Sequence, residues 1–207
     1  MNLLRSFLVA ASLVVGGTAA ALTVRPPSFA ELVAEAETIV RVETLASRCE
    51  WRETPRGRVI VTFVTLRVET TLKGEAAREI ELRQLGGQIG EERMEIEGLP
   101  RFGVGDRDYL FIVGNGRSLC PLVGIPHGRY PIMRLAEAGD EFVARADGSP
   151  LTATAQVASP LGEGTVSLAA GQPGDAPLRA ADFEAAIRAE LAPRQPVAAQ
   201  GGGEGSR

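Results

Sequence analysis

Apolar residues along the 207-residue chain recur mainly at strand spacing, with helical spacing confined to two short stretches. The first follows Pro26-Pro27, where Ser28 and Glu31 form a capping-box signature and Phe29, Leu32, Val33 and Ala36 fall on one helical face. From Thr38 the spacing changes. Ile39 to Leu45 alternates β-branched and polar residues as a strand does, Ser47 to Glu53 turns polar, and Arg56-Gly57 marks a turn. The longest strand signal runs from Val59 to Leu72. Ile60, Val64, Leu66, Val68 and Leu72 share one face, while Val59, Val61 and Phe63 make the other face apolar at its start. A strand buried on both sides at one end and on one side at the other suits a long curved strand of a barrel.

Lys73-Gly74 ends that strand, and Glu79 to Leu85, Arg93 to Glu97 and Asp108 to Val113 predict three more. Asn115-Gly116 is a hairpin signal leading into Leu119 to Ile125, and His127 to Leu135 predicts a final strand. The fold class expected is mostly β: a small antiparallel OB-like barrel with a lead-in N-terminal helix over residues 22–135. Residues 136–192 read as a Gly/Ala/Pro-rich, loosely structured extension, with weak strands at Glu141 to Ala144 and Thr165 to Ala169. It closes on a C-terminal helix, Asp182 to Leu191, that places Phe183, Ile187 and Leu191 on one side. Residues 193–207 have the composition of a disordered tail.

The start of the chain sets the compartment expected. Arg5, the apolar run Phe7 to Val15 and the small residues Ala19-Ala20-Ala21 are ordered as in a secretory signal peptide, with cleavage after Ala21. The run is too short to span a bilayer, so residues 1–21 predict a periplasmic or extracellular protein with no stable membrane anchor after leader removal. The chain carries 22 basic and 26 acidic side chains, and loss of Arg5 leaves 21 against 26, a net charge of −5. That balance and the lack of a basic run argue against nucleic acid as a partner. No cofactor motif is present: Gly86-Gly87-Gln88-Ile89-Gly90 lacks the spacing of a phosphate loop and predicts a turn or bulge.

Cys49 and Cys120 in an exported chain predict a disulfide. It would close a loop of roughly 70 residues and contribute about 4 kcal/mol. Trp51, the only tryptophan, with its neighbours Glu50 and Arg52, is the candidate contact patch on the barrel rim; packing over the bridge is its competing structural role. His127 is the only histidine, which removes multi-histidine metal sites and most nucleophile–base arrangements, and a structural or surface role is expected for it. Asp106 and Asp108, with Glu91 and Glu92, match no calcium loop and are expected on a solvent-facing surface.

The order of a helix, Glu37 to Leu45, a long strand closed by Leu72-Lys73-Gly74, Arg78 to Gln84 and Val104 to Gly116 resembles the netrin-like family, which includes the inhibitory domain of the tissue inhibitors of metalloproteinases. The segment from Gly105 to Phe111 looks like that family's Gly-x-x-x-Tyr-Leu strand, and the resemblance covers Phe29 to about Leu135. It implies an OB-type five-stranded barrel and a protein partner, with proteases as one class. The inhibitors in that family coordinate the protease zinc through an amino-terminal Cys, whereas cleavage after Ala21 starts this chain at Leu22-Thr23-Val24. That mode does not transfer. The function expected is a non-enzymatic binding module with no catalytic set, no metal and no cofactor. The alternatives are a structural envelope protein, or a hydrolase built from Glu91, Glu92, Asp106 and Asp108.

Overall fold

A computed structural model describes residues 25–134, 139–162 and 176–193. The leader, the Thr165 to Ala169 strand and the tail beyond Pro193 expected from the sequence lie outside the described residues. Helix α1, Phe29–Glu35, begins as its sequence predicts. Ser28 Oγ accepts from the Glu31 N–H at 3.2 Å and the Glu31 carboxylate accepts from the Ser28 N–H at 2.7 Å, a complete capping box. Leu32, Val33 and Ala36 are buried. At its other end Lys73 Nζ donates to the carbonyls of Val33 and Ala34 at 2.7 and 2.9 Å, satisfying acceptors that the helix leaves open.

The backbone of the molecule is a two-stranded ribbon of β1, Thr38–Thr54, and β2, Gly57–Lys73, joined at Thr54–Gly57 and paired antiparallel along its whole length. The polar stretch Ser47 to Glu53 therefore continues β1 and does not end it. Register shifts at Ile39/Val40, Arg41/Val42 and Thr44/Ala46 bend the ribbon. The sheet is completed by β3, Glu79–Leu85, on β2 and by β6, Arg107–Ile112, β7, Arg129–Arg134, and β8, Glu141–Val143, beyond β1, in the order β3-β2-β1-β6-β7-β8. All pairings are antiparallel. A separate hairpin, β4, Gly87–Ile89, and β5, Glu92–Met94, stands over the ribbon. The six-stranded sheet does not pair β3 with β8 and is open.

Leu119 to Ile125 does not form the expected strand. Pro121 and Pro126 lack the donors a ladder needs, Gly124 and Ile125 are left-handed at φ 59° and 60°, and only Leu122 bridges to Ile112. The segment anchors itself by side chains: Leu122 and Val123 are buried in two different cores. Those cores lie on opposite faces of the sheet. One holds Val40, Val42, Val64, Leu66, Leu82, Leu110 and Ile112. The other holds Ile39, Tyr109 and Phe111 against α1 and against helix α2, Ala180–Leu191, whose Phe183 and Ile187 are fully buried. Alternation along β1 and β6 feeds both.

The expected loosely structured extension is, where described, part of this second core. Val143, Leu151 and Val157 are buried with Leu32, Tyr109 and Phe183. Phe183 meets Tyr109 edge-on at 5.3 Å and lies 5.2 Å from Tyr130.

Candidate functional site

A cleft of about 720 Å³ lies between one face of the β1–β2–β3 sheet and a wall formed by the β4–β5 hairpin and residues 95–102. Strand alternation sets its floor: Ser47 and Cys49 of β1, Thr62 and Val64 of β2 and Gln84 of β3 share that face. Two side-chain hydrogen bonds fix the wall to the floor. Thr62 Oγ1 donates to the Gly86 carbonyl at 2.6 Å, and Gln84 Nε2 donates to the Pro100 carbonyl at 3.2 Å. Gly87 lies so close to the ribbon that a Cβ there would stand 2.5 Å from Thr62 Oγ1 and 2.6 Å from Cys49 Sγ, and its φ of 135° also excludes ordinary side chains. The Gly86 to Gly90 segment is not the turn or bulge its spacing predicts: Gly87–Ile89 is strand β4, paired with β5, and only Gly90 belongs to the turn between them. Met94, Ile96 and Phe102 give the wall an apolar surface, and Glu95 bridges Arg93 at 3.1 Å and Arg101 at the mouth.

The three candidate contact residues sit on the exposed end of the ribbon but on two faces. Trp51 is half-buried on the cleft side, two residues beyond Cys49, with the Arg58 guanidinium 4.2 Å from its ring centre. Glu50 and Arg52 are on the opposite face. Glu50 accepts from Arg48 at 3.0 Å and from Arg52 at 2.6 Å, and both arginines lie over Phe63, at 4.6 and 5.2 Å. The expected disulfide is not formed. Cys49 is half-buried with its sulfur 3.4 Å from Thr62 Oγ1 on the cleft floor, while Cys120 is buried in the core with Leu110, Ile112 and Leu122. Burial pushes the Cys120 thiol up to about 11, opposed only by a backbone hydrogen bond from Leu122, so it is held as an inert thiol. Trp51 accordingly packs on Arg58 and not over a bridge.

Asp108 is not solvent-facing as expected: it is fully buried, and Arg129 donates to its two carboxylate oxygens at 2.7 and 3.1 Å. Burial raises the Asp108 carboxyl above its ordinary range against the pull of Arg129. Arg129 also donates to Asp106 at 2.8 Å, and Asp106 in turn accepts from the Gly103 N–H at 2.8 Å. Glu91, on the β4–β5 turn, and Glu92, the first residue of β5, are exposed and do not line the concavity that holds Asp106 and Asp108. Among the described residues no group of three or more His, Cys, Asp or Glu side chains could hold a metal. His127 is buried in the turn Ile125–Gly128, and its pKa is lowered by that burial and by Arg145.

The main charged constellation is one that sequence spacing does not reveal. Arg41 donates to Glu69 at 2.7 Å and pairs with Glu141 and Glu184; Arg107 donates to Glu69 at 2.7 Å and pairs with Glu141, which Arg134 also reaches at 3.0 Å. Glu184 of α2 accepts from the Tyr109 hydroxyl at 2.9 Å. These residues tie β2, β1, β6, β7, β8 and α2 together, and each of the three arginines is paired. Burial would raise Glu141, but hydrogen bonds from Arg134, Arg107 and Arg41 outweigh it and hold it at about 2. Compared with known proteins, the sequence matches no protein-family model and no curated protein.

Proposed function

We propose that this chain is an exported binding module without catalytic activity of its own, which recognises a protein partner through the cleft and the adjoining end of the β1–β2 ribbon. The observation that carries the reading is the cleft itself: about 720 Å³ with an apolar wall, an uncharged floor, and a tryptophan beside it. Such surfaces suit protein recognition, in which a half-buried aromatic ring supplies area at low entropic cost. The hydrolase reading loses its support because Asp106 and Asp108 are both engaged by Arg129. We also read the sheet as an OB-type barrel of netrin-like kind. In support, the order β3-β2-β1-β6-β7 is the strand order of such a barrel opened between its third and fifth strands. Proteases are the first partner class to assay on that resemblance.

Photo-crosslinking tests the reading. A crosslinking residue placed at Trp51 or at Arg93 in the intact chain, exposed to the native exported fraction, is expected to form an adduct with one protein from both positions. Absence of any adduct across several growth conditions overturns it. Mass spectrometry of native protein is expected to find an amino terminus at Leu22, and an intact leader overturns the exported assignment.

A further inference from the structure

The outer edges of the sheet are covered. Along β3, the Asn115 side-chain amide accepts from the Arg83 N–H at 3.0 Å and donates to the Glu81 carbonyl at 2.7 Å, and the Leu85 N–H reaches Leu119 at 2.9 Å. Along β8, the Val143 N–H donates to Leu178 at 3.0 Å. One long edge is not. β2 pairs with β1 as far as Thr54, but β6 meets β1 only from Thr38 to Glu43, and the Thr44 N–H and carbonyl then bond Asp106 and Gly105 at 2.8 Å. From Ala46 to Thr54 the main chain has no backbone partner on that side among the described residues. At roughly 3.3 Å per residue this edge is about 30 Å long.

We propose that this edge is a strand-addition site: an extended segment of a partner polypeptide lies beside Ser47–Thr54 and is paired to it through its backbone. The proposal rests on the binding-module reading and names how that site engages its partner. Donors and acceptors alternating at strand spacing are matched by an extended backbone and by few other ligands. The edge is continuous with the cleft, because its Ser47 and Cys49 side chains are part of the cleft floor. Alternate side chains of an added strand would therefore stand over the cleft and against its apolar wall. Val104, 74% exposed, immediately precedes Gly105, where pairing on this side of β1 stops, and extends the apolar surface available to the newcomer.

Charge defines the other face of the added strand. Arg48, Glu50 and Arg52 present the order positive, negative, positive, so the complement is acid, base, acid, which reads the same in either strand direction. The same charges discourage indiscriminate pairing. A second copy of this chain centred on Glu50 would set Glu50 against Glu50 and Arg48 against Arg52, and only registers displaced from that centre relieve the repulsion.

The test uses the intact mature chain and two synthetic peptides, Thr-Glu-Val-Lys-Val-Glu-Thr and its charge-swapped counterpart Thr-Lys-Val-Glu-Val-Lys-Thr. The first is also made with alternate amides N-methylated, in both phases. Trp51 fluorescence reads binding and amide hydrogen exchange reads its location. The first peptide is expected to bind at least tenfold more tightly than the second and to slow exchange within Ser47–Thr54 at least tenfold. One of the two N-methylated forms is expected to lose at least tenfold in affinity. Equal affinity of all peptides, or unchanged exchange in Ser47–Thr54, overturns the proposal. So does protection of that edge without peptide in a sedimenting dimer, which assigns it to a second copy. A native partner that crosslinks but protects only residues outside Ser47–Thr54 overturns strand addition while leaving the binding role intact. Edge-bound peptide with no native crosslink does the reverse.

Discussion

Arg129 is a residue on which burial and charge press together. It is itself largely buried, it forks onto the fully buried Asp108, and it reaches Asp106 and the carbonyl of Arg101 as well. Removing one partner of such a pair leaves the other uncompensated, so Arg129→Met is expected to lose about 3–5 kcal/mol in urea denaturation, and adding Asp108→Leu to recover part of it. Lys73, the only lysine, shows the same dependence on position in a milder form. Lys73→Ala removes the donor to Val33 and Ala34 and is expected to cost about 1 kcal/mol, read by the same denaturation. Its sequence spacing gives no hint of this role, because its acceptors are 40 and 39 residues away. The Ser28–Glu31 cap at the opposite end of the same helix was legible because both partners lie within one turn.

Among elements, β3 has the bounds its alternation predicts, and α1, β2, β6, β7 and α2 lie within a few residues of theirs. Burial on one or both faces imposes the period of two, so the signal is local and survives folding. The failures are where local signals compete. Leu119 to Ile125 is apolar enough for a strand but its prolines cannot donate, and Asn115-Gly116 does not turn a hairpin there. Instead the Asn115 amide occupies the free edge of β3 in the manner of a neighbouring strand. Asn115→Ala is expected to speed hydrogen exchange of the Arg83 amide at least tenfold and to cost about 1 kcal/mol, because that N–H loses its only acceptor on the open side. Unchanged exchange at Arg83 would mean that the sheet edge is closed by another group.

For the whole molecule, the ion-pair network of Arg41, Arg107, Arg134, Glu69, Glu141 and Glu184 joins the sheet to α2. Its pH dependence has a definite sign. Glu141 is held at about 2 against an ordinary 4.5, and Glu69 is lowered in the same direction, so both bind protons more readily when unfolded. Their contribution is complete above about pH 4.5 and is lost as pH falls from there towards 2. Thermal or urea stability measured against pH is expected to fall through that window, and Glu141→Gln to fall less steeply. The mostly β character of the chain, the capped first helix, the amphipathic last one and the positions of most strands are already written in the order of residues. Each depends on residues a few places apart. It took the tertiary fold to bring Val143, Leu151 and Val157 into a core with Leu32 and Tyr109, to bury Asp108 beside Arg129, to keep the two cysteines apart as thiols, and to leave one edge of β1 without a backbone partner among the described residues. These facts depend on which distant segments become neighbours, and no local periodicity encodes that.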